Sequence, residues 1–160
     1  MESPRNRLPD TATPFDLHAV KLLDSDFSRA VDANRAYLHD LSPDRLLSNF
    51  RKYAGLTPKG EVYGGWEQDT IAGHSLGHYL TAISLMYAQT GDEEMKRRVD
   101  YVVSELAECQ DPHGDGYVAG FDRRRGDVIE NGNPYSSMKR RCLFQGSSGI
   151  SAWRRTFQSS

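Results

Sequence analysis

An all-α fold is what this sequence predicts, and three observations carry the prediction. Four segments repeat apolar residues at i, i+3 and i+4 spacing. Residues that start or stop helices flank them. Two of the segments are separated only by Thr90-Gly91-Asp92, a connection short enough to make them an αα-hairpin. At 160 residues the chain can form one ordinary domain with a usable core.

In chain order, Pro4, Pro9 and Pro14 make residues 1–14 a loose leader, and Val20, Leu22 and Leu23 read as a short extended piece. A helix over 26–40 follows, capped by Ser25 or Asp26, with Phe27, Ala30, Val31, Asn34, Tyr37 and Leu38 on one face. Ser42 and Pro43 restart a helix over 43–53 as N-cap and first helical residue, with Leu46, Leu47 and Phe50 inward and a stop near Gly55. Residues 56–70 form a Gly- and Pro-punctuated loop. The segment 72–89 is apolar over most of its circumference, so it is predicted to be the most buried helix. The segment 93–109, capped by Asp92, sets Met95, Val99, Val102, Val103 and Leu106 against an outward face of Lys96, Arg97, Arg98, Asp100 and Glu105. The run Asp111 to Tyr117 ends that helix with Pro112 and Gly114 and opens a new loop.

Composition excludes several function classes. With 26% charged and 38% hydrophobic residues the chain is expected to be soluble and globular. A net charge of −2 gives no reason to expect nucleic acid as a partner. No stretch approaches the ~18 apolar residues of a membrane span, so no membrane partner is expected. The first residues lack an apolar h-region, which leaves the expected location cytoplasmic. Cys109 and Cys142 define neither a disulfide framework nor a CxxC pair. The charge is uneven. All 22 acidic residues lie in the first 130, whereas residues 131–160 hold only Lys139, Arg140, Arg141, Arg154 and Arg155 among many serines. That tail follows neither period and is expected to be a disordered, aberrant segment.

The densest chemistry is Gly64-Gly65-Trp66-Glu67 followed by Gly73-His74-Ser75-Leu76-Gly77-His78. Glycine and histidine are poor helix formers at the start of an apolar helix, so helix stability does not explain them. Trp66 can lie flat on a sugar ring while Glu67 accepts hydroxyl hydrogen bonds. The structural alternative is that Trp66 plugs the loop and Glu67 caps a backbone N–H. His74 and His78 share a face at i, i+4, the spacing of a two-histidine metal site. Ser75 replaces the glutamate of a His-Glu-x-x-His motif and no third ligand is evident, so no metal is assigned. His78 reads as an interior histidine and His74 as the pocket residue. Asp115 and Tyr117 complete the candidate binding set, although Gly114-Asp115-Gly116 is also an ordinary turn.

Several of these motifs occur in an order that resembles a known family. Asn34 to Leu38, Pro43-Asp44-Arg45-Leu46-Leu47, Phe50-Arg51, Ala54-Gly55-Leu56, Gly64-Gly65-Trp66-Glu67, Gly73-His74, Gly77-His78-Tyr79-Leu80, Ala88 to Asp92 and Gly114 to Tyr117 resemble the opening of the glycoside hydrolase family 127 and 146 group. The resemblance covers about residues 15–130, and Ser75 stands where members often have an aromatic. It implies the first hairpins of an (α/α)6 toroid acting on β-L-arabinofuranosides. It also implies a cysteine nucleophile near a zinc ion and a glutamate acid/base, all downstream of the motifs found here. Neither cysteine matches a catalytic motif, so no catalytic residue, metal ligand or cofactor is assigned to this chain. The expected organisation is a leader over 1–14, a partial glycosidase-like domain over 15–130 and the tail over 131–160. Two functions follow: an inactive N-terminal part of a carbohydrate-acting hydrolase, cut short or frame-shifted near residue 132, or a non-catalytic helical interaction module. The nucleotide sequence downstream discriminates between them. An incomplete toroid would leave parts of Leu76, Leu80, Ile83 and Tyr87 uncovered, which predicts self-association through an apolar helix face.

Overall fold

The computed structural model describes residues 15–68, 72–114 and 117–122, the side chain of Trp66 excepted. The leader over 1–14 and the tail over 131–160 lie outside the described residues. The described residues form four α-helices: α1 (Asp26–Asp40), α2 (Pro43–Tyr53), α3 (His74–Thr90) and α4 (Glu93–Gln110). There is no strand among the described residues, and the helix bounds agree with the apolar periodicity to within a turn. Residues 20–23 are not a strand, and a 3-10 turn at Leu17–Ala19, which no periodicity signals, packs on α3.

Local chemistry explains the boundaries. Ser25 Oγ accepts from the Ser28 N–H at 3.3 Å while Ser28 Oγ accepts from the Ser25 N–H at 3.0 Å, a reciprocal capping box that starts α1. Ser42 occupies the N-cap of α2 without a side-chain bond; its N–H donates to Tyr63 Oη at 3.0 Å. Gly91 adopts φ 71° and its N–H closes onto the Tyr87 carbonyl at 2.8 Å, so α3 stops there and Asp92 caps α4 two residues before Glu94.

The core sits between α3 and α4, with α2 laid against both. Leu80 and Ile83 of α3 meet Met95, Val99 and Val102 of α4 and Leu47 of α2, all fully or almost fully buried. Each such side chain contributes on the order of 1.5–3 kcal/mol by leaving water. This corrects the expectation that Leu76, Leu80 and Ile83 stay partly uncovered, because α2, α4 and Leu38 of α1 already close over them. Tyr87 alone of that set is half-buried. The exposed apolar surface lies elsewhere, at Leu23, Phe27 and Leu85. α1 packs mainly on α3 through its C-terminal half, so Leu38 is buried while Phe27 remains 76% exposed.

The outward face of α4 is also less polar in its surroundings than its sequence suggests. Arg98 turns back beneath α1, where its guanidinium donates to the carbonyls of Leu38, His39 and Leu41 at 2.9–3.1 Å. Those carbonyls at and just beyond the end of α1 have no helical partner, and a cation there also suits the helix dipole. Glu105 is buried between Arg51 Nη1 and Lys59 Nζ, each 2.6 Å away. Both residues therefore belong to the interface of α4 with α1 and α2, not to solvent.

Candidate functional site

The N-terminus of α3 is organised by a residue from the preceding loop. Glu67 closes the 3-10 turn Gly65–Glu67, and its backbone carbonyl accepts from buried Asn49 Nδ2 at 2.6 Å. Its side chain, 8% exposed, then reaches forward to the helix. Oε2 accepts from the Gly73 N–H at 2.7 Å and Oε1 from the Ser75 N–H at 3.0 Å. These are among the donors that a helix start leaves without partners, and the negative charge lies at the positive end of the α3 dipole. Oε1 also lies 3.2 Å from His74 Nδ1.

The glycine before His74 makes this approach possible. Gly73 adopts φ 100°, a left-handed conformation, and a Cβ there would lie 2.8 Å from Phe50 Cζ and 3.4 Å from the Cα of Gly120. Phe50 of α2 and the segment after α4 thus clamp the first turn of α3 from two sides.

In front of this turn lies an open cleft of about 590 Å³, with Asn34 and Tyr37 of α1 facing Tyr63, Glu67, His74 and His78. His78 is exposed on the cleft wall, which corrects its reading as an interior histidine. It lies on the side of α3 that lines the cleft towards α1, while Leu76 and Tyr79 beside it are buried. Its ring stands perpendicular to that of His74 with centroids 6.3 Å apart. Tyr79, on the same helix, is buried, and burial pushes its phenol up despite the Arg98 guanidinium that donates to it.

The remaining candidates divide. Glu67 and His74 come together on the cleft, whereas the backbone of Trp66 lies in the adjoining turn and Asp115 lies outside the described residues. Tyr117 does not line the cleft; it packs near Ala119 and Phe121, with the His113 ring edge-on at 5.3 Å. Sequence reading missed Asn34, Tyr37 and Tyr63. The first two fall within the apolar stripe of α1 by spacing, although a polar residue and a tyrosine three apart are the available signal.

The zinc chemistry implied by the resemblance does not fit the donors found here. No group of three or more His, Cys, Asp or Glu side chains converges among the described residues. Cys109 is fully buried in the core, and burial pushes its thiol up to about 11, the opposite of an activated nucleophile. Glu67 is the one carboxylate among the described residues lining the cleft, and no cysteine lies with it there.

No curated protein matches the chain. A family model described as beta-L-arabinofuranosidase, GH127 catalytic domain, matches residues 19–143 and so spans all four helices and the cleft they frame. Its match runs past the boundary at 130 drawn from the motifs, into residues outside the described ones. With most of the chain matched, the protein belongs to the GH127 beta-L-arabinofuranosidase catalytic-domain family.

Proposed function

We propose that this chain is the N-terminal, sugar-facing part of an arabinofuranosidase-type glycosidase domain, a wall of the carbohydrate site without the groups that break the bond. The observation that carries the reading is the polar, tyrosine- and histidine-lined cleft at the start of α3 in a chain of this family. Tyrosine and histidine offer flat apolar surface together with hydrogen-bonding edges, which suits a neutral polyol. Glu67 directs its two oxygens to backbone N–H groups and His74, so its part is to hold the wall. The exposed Leu23, Phe27 and Leu85 favour association of copies through apolar surface, which sedimentation at increasing concentration tests.

The test of function is a paired assay on the purified chain. Release from p-nitrophenyl β-L-arabinofuranoside is expected to equal the buffer blank, since the described residues bring no nucleophile and acid together at the cleft. The methyl glycoside is expected to bind weakly, with Kd on the order of 1 mM. Release of arabinose that is sensitive to substitution in the cleft overturns the inactivity. Absence of any binding favours the alternative of an interaction module.

A further inference from the structure

We infer that Arg45 is a positioning residue for Tyr63, holding the ring from outside the cleft so that its cleft side is the platform on which a neutral sugar ring packs. The inference deepens the sugar-site reading and rests on it. Tyr63 lines the cleft and Arg45 does not. The Arg45 guanidinium carbon stands 3.9 Å from the Tyr63 ring centroid, well inside the ~6 Å reach of a cation–π contact. The cation takes the outer face, and the ring meets the cleft with the rest of its surface.

The loop that carries Tyr63 folds back onto the start of α2 at several points, and Arg45 joins them. Arg45 Nε donates to the Glu61 carbonyl at 3.0 Å, two residues before the ring it covers. The Ser42 N–H donates to Tyr63 Oη at 3.0 Å, which pins the tip of the same ring. Gly60 passes so close to α2 that an added Cβ would stand 3.2 Å from both the Arg45 N and the Asp44 carbonyl carbon. A planar guanidinium stacks on an aromatic face while its edge donates, a combination that an ammonium lacks. Arg45 is exposed, so its effect falls on the loop and not on the helical core. A ring held in its binding position raises the competent fraction of the chain, and apparent affinity scales with that fraction. A flat, uncharged platform takes the apolar face of a sugar and leaves the hydroxyls to the polar edges of the cleft.

The experiment compares the full chain with Arg45→Lys and Arg45→Met by NMR, with methyl β-L-arabinofuranoside as the probe. The Tyr63 ring is identified by loss of its signals in Tyr63→Phe. Its nuclear Overhauser contacts are expected to reach the Arg45 side chain in the unliganded wild type, and the glycoside once it is added. Absence of the Arg45 contact in the wild type overturns the inference. Kd for the glycoside is expected to rise about 2- to 5-fold in Arg45→Met, the size of one exposed cation–π contact, and less in Arg45→Lys, which keeps the charge. The urea midpoint is expected to be the same in all three chains, whereas a merely structural arginine would lower the midpoint and leave Kd in place. Equal Kd in the wild type and Arg45→Met overturns the inference, as does glycoside binding without contact to the Tyr63 ring, and the sugar-site reading survives both results. The Arg45–Tyr63 contact with no response to the glycoside anywhere in the cleft removes the sugar-site reading and the platform with it.

Discussion

Replacing Gly73 by alanine tests the geometry that places His74, because two ordinary arguments give opposite signs. On helix propensity alone, glycine to alanine near a helix start should be neutral or gain up to ~1 kcal/mol. In this fold Gly73 has φ 100°, and the left-handed region costs an L-residue roughly 1–2 kcal/mol. The new Cβ would also stand 2.8 Å from Phe50 Cζ and 3.1 Å from Cε2, the rigid ring of a buried side chain. Overpacking of that kind costs typically ~1–3 kcal/mol. The sum is a loss of about 2–5 kcal/mol. Gly91→Ala is the matched control, with φ 71° and no atom within 4 Å of the added Cβ, so it carries only the backbone cost. Urea unfolding followed by far-UV circular dichroism should place Gly73→Ala about 1–3 kcal/mol below Gly91→Ala. Equal losses in the two variants would falsify the close approach of α3 to α2, and with it the clamped helix start.

Other consequences follow from the buried charges and the thiol. Glu105→Ala leaves Arg51, whose side chain is 8% exposed, with the half-exposed Glu108 as its ionic partner among the described residues, and a loss of about 3 kcal/mol is expected in urea unfolding. The pair Arg51→Met with Glu105→Leu should lose less than the sum of the two single changes, and strict additivity would show that the two do not interact. Burial alone would raise the Asp92 carboxyl, but the hydrogen bonds from His39 and the Glu94 N–H outweigh it and hold it below the usual carboxylate range. Its contribution to stability is thus full above ~4 and lost as the pH falls through the depressed folded value. Asp92→Asn should flatten the acid limb of the stability–pH curve, and an unchanged limb would refute the assignment. In a Cys142→Ser chain, Cys109 should react with thiol reagents at least ~100-fold more slowly when folded than in urea, since its thiol is pushed up from 9.0 to about 11. Equal rates would place the thiol outside the core.

The helices were legible because their signals are local. Ser25, Asp92 and Gly91 start or stop a helix through bonds to residues a few positions away, and Pro43 starts one through its fixed φ. The long-range partners were not. Nothing local distinguishes Arg98 or Glu105 from the solvent-facing Lys96 and Arg97 on the same helix; only the position of α1 and α2 makes them interior. The site divides in the same way. Glu67 and His74 stood out by composition and lie together on the cleft wall. His78 was assigned to the interior because its helix is apolar almost all round, yet the open side of α1 leaves it on the wall. Tyr63 escaped notice because its place beside Arg45 and Ser42 depends on how a loop folds back, a relation without periodicity.

The central claim is that the start of α3, held by Glu67, faces a neutral sugar. A residue-resolved titration of the 15N-labelled chain with methyl β-L-arabinofuranoside tests it most directly. The account predicts amide shifts at Tyr63, His74, Ser75 and His78, around the cleft, with Tyr117 and Ala119 on their separate cluster unmoved. Shifts centred on Tyr117 and Ala119, or none anywhere at saturating glycoside, contradict it.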